Sequence, residues 1–367
     1  MKKILAFILS LVLVFTLVAF AACSAGGNNF KEVDLTDTET REEFVNALAE
    51  KVDVNNLIGN YAAEGWTFGL EEKASTKLAF DKLTVTWDEA EFSANGSVEL
   101  SENAKISVKG NGAIAEPDIA ASLSLTAKGN LTLSDSIYDM FDALVEEYSL
   151  DSMGIDSDYL KGLITNFNYS VNAYVDNEVV LISLSESLYN KLPEFITETI
   201  TSRLIKITLS SLNQPATLDA APSIDGTAQT EAIKEAINEV IDEIILPLNL
   251  TVSVANSNGY AVRISASKES VAAFVDEVLY DDEELATAVK QAVGNFKFEL
   301  TVRVDKNGAF SSISSESNIK LNLDLTFGDF AVKGGLTMSA STEIKKFSGK
   351  VSKPTGDYQE VDFSEIF

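Results

Sequence analysis

Apolar and polar residues alternate strictly in several stretches of the chain. Leu83, Val85 and Trp87 alternate with Thr84 and Thr86, Val98 and Leu100 with Ser97, Glu99 and Ser101, and Leu123 and Leu125 with Ser122, Ser124 and Thr126. Nearer the carboxy terminus Phe296, Phe298, Leu300, Val302 and Val304 alternate with Lys297, Glu299, Thr301 and Arg303. Leu321, Leu323, Leu325 and Phe327 do the same with Lys320, Asn322, Asp324 and Thr326. A period of two puts one set of side chains in a dry interior and the other in water. Strands of parallel sheets are covered on both faces and read as unbroken apolar runs, so these strands belong to antiparallel sheet. Asn95-Gly96, Asn258-Gly259, Asn307-Gly308 and Gly328-Asp329 lie between or beside the runs. They are read as turns, where positive φ is needed.

Other stretches carry a helical period. From Thr36, the TDTETREEF run offers a cap and first-turn acids ahead of Phe44, Val45, Leu48 and Val52. Ile137, Met140, Phe141, Leu144, Val145 and Tyr148 share one face, as do Ala232, Ile233, Ala236, Ile237, Val240, Ile241, Ile244 and Ile245. A third stripe runs from a cap at Ser267 through Val271, Phe274, Val275, Val278 and Leu279. These stripes need a partner and the dry strand faces need a cover. The expected fold class is therefore α+β, a predominantly antiparallel sheet, curved or half-barrel-like, with amphipathic helices packed on one face.

Residues 167–188 and 248–271 are similar, each a pair of alternating strands around a polar turn followed by Ser and an acid. Asn168 matches Asn249, Val171 matches Val252, Ile182 matches Ile264, and Ser183 matches Ser265. Two copies do not make a solenoid, and duplication and chance likeness of hairpins both fit. The polar stretch 213–230, with Pro215, Pro222 and Gly226, is the candidate boundary or surface loop between a first lobe at 36–212 and a second at 231–367.

The amino terminus sets the compartment. Lys2 and Lys3 precede an apolar run from Ile4 to Phe20, followed by Ala21, Ala22 and Cys23. The order of positive, apolar and small residues is that of an export signal, and the run is short for a spanning helix. Phe20-Ala21-Ala22-Cys23 resembles the lipobox of bacterial lipoproteins, with Phe20 where an aliphatic residue is more usual. The resemblance implies cleavage of residues 1–22 and acylation of Cys23, the lipid attachment site, with 23–35 as tether. It places the protein in the bacterial cell envelope, lipid-anchored on the extracytoplasmic face, with the membrane as its first partner. Each buried methylene of such an anchor contributes about 0.8 kcal/mol.

Composition narrows the chemistry. Fifty-six acidic against 28 basic side chains give a formal charge of −28, with no histidine and one cysteine. That excludes Ser-His and Cys-His nucleophile pairs, histidine-ligated zinc, intrachain disulfides and cysteine clusters. The negative charge opposes nucleic acid as a partner. The acids Asp281-Asp282-Glu283-Glu284, and Asp151 with Asp156 and Asp158, do not follow the calcium-loop pattern, so no metal and no cofactor is expected. No Gly-x-Ser-x-Gly elbow or phosphate loop is present. Ser267-Lys268 and Ser352-Lys353 are read as surface pairs, and Trp66 and Trp87 as core residues. The expectation is a non-enzymatic binding protein. In outline the body resembles envelope lipoproteins that hold greasy molecules in a half-barrel, which implies a lipid or other apolar ligand behind rows such as Leu321, Leu323, Leu325 and Phe327. The alternative is a surface module that recognises a wall polymer, a sugar or an envelope protein through polar strand faces.

Overall fold

A computed structural model describes residues 30–51, 67–87, 90–109, 118–208, 226–256, 259–279, 283–327 and 329–361. The signal segment, Cys23, residues 24–29 of the tether, Val52 and Trp66 lie outside the described residues, as do Asp281, Asp282, Asn258 and Gly328.

Long strands form the middle of the molecule: β2 (Thr67–Trp87), β3 (Ala90–Lys109), β11 (Phe310–Phe327) and β12 (Phe330–Lys346). Next to them lie β4 (Asp118–Leu133) and β10 (Val293–Val304). Shorter strands extend the sheet on one side as β5 (Phe167–Asp176), β6 (Val179–Leu184), β7 (Leu204–Thr208) and β13 (Gln359–Glu360). On the other side they are β9 (Tyr260–Ala266), β8 (Thr251–Ala255) and β1 (Lys31–Val33). These thirteen strands make one sheet, in the order β1-β8-β9-β10-β11-β12-β2-β3-β4-β5-β6-β7-β13. Neighbours are antiparallel except β13, which runs parallel to β7. The outermost strands, β1 and β13, do not pair with each other, so the sheet is open and not a closed barrel.

Strands from both stretches expected as lobes lie in this sheet, joined from Phe330↔Trp87 to Lys346↔Leu70 along β12 and β2. Of the stretch 213–230, residues 226–230 open a helix, and 213–225 lie outside the described residues. The two similar segments become the hairpins β5–β6 and β8–β9. Val171 pairs with Leu184 and Val252 with Ile264, so the pairing matches Leu184, and not Ile182, to Ile264. Ser185 and Ser267 each cap the following helix. A serine shortly after each cap donates its hydroxyl back to the start of its hairpin, Ser187 to the Asn168 carbonyl in β5 and Ser270 to the Asn249 carbonyl just ahead of β8.

The helices are α1 (Thr38–Lys51), α2 (Asp135–Tyr148), α3 (Ser157–Ile164), α4 (Glu186–Tyr189), α5 (Glu194–Thr199), α6 (Gly226–Val240, continued as one π turn over Ile241–Ile245), α7 (Lys268–Val278) and α8 (Glu283–Ala292). At the start of α1, Asp37 Oδ1 accepts the Thr40 amide at 2.9 Å, satisfying a free first-turn donor. Val271 and Val275 of α7 and Ala286 and Val289 of α8 pack on Ile319, Leu321, Leu323, Leu325, Leu336, Met338, Leu78, Phe80 and Val85. Phe44 and Val45 of α1 and Ile241 and Ile245 of the π turn pack on Val252, Val262 and Val304. The stripes are covered only in part. Tyr138 and Val145 of α2 are buried, whereas Met140, Leu144 and Tyr148 are exposed; Val240 and Ile244 are exposed beside buried Ile241 and Ile245.

Two expectations change. Trp87 is 57 % exposed rather than core; it is the last residue of β2 and pairs with Ala90 and with Phe330, which is itself buried in the cluster under α7 and α8 while the indole at the strand end is not. Asn95-Gly96 is not a turn. It lies inside β3, where Gly96 adopts φ +120 opposite a register shift between Phe80 and Leu83 of β2. Lys82, inside that shift, has φ +48, and the Asn95 Oδ1 accepts its amide at 3.2 Å. On the other side of β2, Gly334 has φ +122 at a matching shift of β12. The positive torsions thus build a bulge line across three strands, the usual means of bending a sheet. Asn307-Gly308 does turn: Asp305 Oδ1 accepts the amides of Asn307 and Ala309, and Gly308 has φ +77.

Candidate functional site

Cross-strand pairing lays the two faces of the sheet out row by row, because residues directly opposite share a face. One row runs Val302–Ile313–Ile344–Glu72–Ala104–Leu123–Ala173–Ile182–Ile205. Its neighbour on the helix side is Leu300–Ser315–Thr342–Ala74–Glu102–Leu125–Val171–Leu184, and then Phe298–Ser317–Ala340–Thr76–Leu100–Ala127–Tyr169. On the far side comes Leu70–Ile106–Ala121–Val175–Val180. All four rows lie on the face whose other end carries Ile319, Met338 and Leu78 under α7 and α8. The face is one surface, covered at one end by α7 and α8 and, across β8 to β10, by α1 and the π turn, since Val262 lies opposite Val302 and Val252 follows Leu300 through Ile264; from β11 to β6 its other end is open.

The uncapped end is wet. Leu100 is 52 % and Leu125 41 % exposed, and Ile106, Val175, Val302 and Ile313 are exposed with them. Between β12 and β5, Leu70, Ile106, Leu123, Ala173, Val175 and Ile344 line an open depression of about 400 Å³. An exposed apolar depression on a sheet face is a candidate interaction or ligand site. The row singled out from sequence as a dry ligand wall, Leu321, Leu323 and Leu325, is instead packed solid beneath α7 and α8, with exposures under a tenth; the Phe327 side chain lies outside the described ones.

The opposite face is polar and pairs acids with lysines, while the side-chain oxygens of Asn103, Thr301 and Ser314 are buried there with no hydrogen-bond partner among the described residues. Glu71 lies 3.6 Å from Lys73, 3.4 Å from Lys105 and 3.5 Å from Lys345. Burial pushes its pKa up, but the Lys105 contact and the charges of Lys73 and Lys345 outweigh that and hold it below the ordinary value. Glu99 pairs with Lys128, Glu316 and Glu299 with Lys297, and Glu343 with Lys345. Residues 347–361 cross this face: Val351, Phe347 and Tyr358 cover Tyr174, Val179 and Leu181. A second depression of about 480 Å³ opens there, lined by Asn103, Ser122, Ser124, Asn172, Ser183 and Tyr358 among others.

Lys353 ties the crossing segment down through Asp176, at 3.0 Å. Asp176 also accepts the amides of Glu178 and Val179, both at 2.9 Å. Burial raises its pKa, but the Glu178 amide, Lys353 and the Val179 amide together hold it below the usual carboxylate range. The stabilisation from this carboxylate is full above its unfolded pKa of about 3.9 and is lost as pH falls through the lower folded value. Asp176→Asn is therefore expected to lower the urea midpoint at neutral pH and to narrow the gap between midpoints at about pH 7 and about pH 3. An unchanged gap would mean that other carboxylates carry the acid sensitivity.

The described acids among those considered for metal binding serve local structure, Asp281 and Asp282 lying outside the described residues. Asp156 Oδ1 caps α3 by accepting the Tyr159 amide at 2.7 Å, Asp158 faces Lys161 at 3.8 Å, and Asp151 Oδ1 accepts the Ser152 amide at 2.8 Å. Glu283 and Glu284 occupy the first turn of α8. Among the described residues no group of three or more acids or cysteines converges as a metal site. Ser267 caps α7 rather than lying on a strand, and Lys353 is the partner of Asp176. A further depression, about 820 Å³, is a charged groove between α1 and α6. There Arg41 grips Asp242 through two bonds, at 2.7 and 2.8 Å, and Asn238 at 3.0 Å, which joins the helices.

No helix among the described residues is long and apolar enough to cross a membrane. No protein-family model matches the chain, and no curated protein matches it either. Among solved structures, it aligns over 76 % of its length with 98 % of a β-barrel-like protein of a domain of unknown function from Brucella abortus, at 8 % identity and a TM-score of 0.13. An outer membrane channel from Pseudomonas putida F1 aligns over 79 % of this chain and 98 % of its own, at 8 % identity and a TM-score of 0.12. Neither likeness bears on what this chain does.

Proposed function

We propose that this protein is a non-enzymatic, extracytoplasmic lipoprotein, anchored through Cys23, that holds a lipid or other apolar ligand against the uncapped face of an open, half-barrel-like sheet. The observation that carries the reading is the segregation of the sheet. Six large apolar side chains on one end of one face are exposed, while the polar face opposite pairs its acids with lysines. Leaving that much apolar area in water forfeits about 25 cal/mol per Å² that an occupant would recover. A lipid anchor suits such a task, since it keeps the open face within reach of the bilayer. Solvent extraction and native mass spectrometry of the purified protein should recover co-purifying lipid; clean protein with no adduct would count against the ligand.

The anchor has its own test. Metabolic labelling with a palmitate analogue is expected to mark the wild-type chain and to leave Cys23→Ala unlabelled, with the variant released from the membrane fraction. Label on the variant would place acylation elsewhere. The second reading, recognition of a sugar or wall polymer, is favoured by the depression beneath residues 347–361. Its neutral amides and hydroxyls, Asn103, Ser124, Asn172 and Ser183, stand in a single row across β3 to β6.

A further inference from the structure

The uncapped face carries two carboxylates, Glu72 and Glu102, in otherwise apolar or hydroxyl-bearing rows. Glu72 lies opposite Ala104, and Glu102 opposite Ala74, so they are diagonal neighbours on β2 and β3, with side-chain roots about 7 Å apart. Both are partly buried. Glutamates of the opposite face are neutralised, Glu71 by Lys73, Lys105 and Lys345, Glu99 by Lys128, Glu316 by Lys297, and Glu343 by Lys345. Glu72 and Glu102 have no ion pair or hydrogen bond among the described residues. The lysine of this face nearest to them by register, Lys346 opposite Leu70, is exposed and is paired with neither. Glu102 across β3 and Lys346 across β12 stand in the same diagonal relation to Glu72, so a single exposed lysine faces two carboxylates that repel one another.

We propose that the ligand supplies the missing cation: the uncapped face binds a single-chain amphiphile with an ammonium headgroup, the headgroup between Glu72 and Glu102 and the hydrocarbon along Ile106, Leu123, Ala173 and Val175. This rests on the apolar-ligand reading above and adds the charge of the ligand to it. The dimensions suit a hydrocarbon chain, since the depression reaches from Ile344 on β12 to Val175 on β5, four inter-strand steps or about 19 Å.

The test uses the full chain in phosphatidylcholine nanodiscs with three photo-crosslinking probes of equal chain length, a dodecylamine, a dodecanol and a dodecanoate derivative. Crosslinks are counted by mass spectrometry on the peptides holding Ile106, Leu125 and Val175. The amine is expected to label these peptides about tenfold more than the dodecanoate, and Glu72→Gln/Glu102→Gln to bring the ratio near one. Glu99→Gln/Glu316→Gln removes the same charge from the polar face and should leave the ratio unchanged, which separates local recognition from the general pull of an acidic protein. Equal labelling by amine and dodecanoate, or a preference that survives Glu72→Gln/Glu102→Gln, overturns the charge assignment while leaving the apolar site standing. Failure of all three probes to label these peptides overturns both.

Discussion

Ala173→Trp is expected to abolish ligand retention while leaving the fold intact. Ala173 sits at the centre of the uncapped face, between Leu123 and Ile182 in the same cross-strand row, and its methyl lines the depression of about 400 Å³. An indole there fills space that the hydrocarbon would need, and it does so on a surface already open to water, so no neighbouring side chain has to move. Co-purifying lipid should fall at least about tenfold, with a melting temperature within about 3 °C of wild type. Undiminished lipid in a folded variant would move the binding site off this face. A fall in melting temperature of about 10 °C or more would show that the space around Ala173 is packed in solution.

Gly96→Ala should strike the fold itself. Gly96 adopts φ +120, a conformation that costs an L side chain about 1–3 kcal/mol. A Cβ there would also overlap the Asn130 carbonyl oxygen of β4, and backbone on a paired strand cannot swing aside as a side chain would. Adding a steric cost of similar size brings the loss to about 2–6 kcal/mol, or roughly 10 °C in melting temperature. Gly154→Ala is the control: φ there is +72, but nothing lies within 4 Å of the added atom, so the loss should stay near 1 kcal/mol. Equal effects at both glycines would mean that the bulge line relaxes freely and does not shape the sheet.

Much of the architecture is legible in the sequence. A period of two has a single structural meaning, and each stretch read that way is a strand: Leu83 to Trp87 in β2, Val98 to Leu100 in β3, Leu123 to Leu125 in β4, Phe296 to Val304 in β10 and Leu321 to Phe327 in β11. The helical stripes at 137–148 and from Ser267 are helices too, and Ser267 caps as its side chain allows. Asn95-Gly96 misleads because Gly at positive φ serves a bulge as well as a turn, and only the partner strands decide which. Trp87 misleads because alternation assigns a face without saying whether anything lies over it.

The candidate site escapes the sequence for the same reason. Leu125 and Leu323 are alike in type and in pattern, yet one is 41 % exposed and the other 6 %. Glu72 and Glu71 are adjacent in the chain, and only the pairing of β2 with β3 and β12 shows that one meets three lysines and the other an apolar row. What the chain determined alone is local: periodicity, caps, charge, and the chemistry that a protein without histidine and with one cysteine cannot perform. The tertiary structure decided which end of the sheet the helices cover, because coverage depends on contacts between segments far apart in sequence, and residue type does not encode who the neighbour will be.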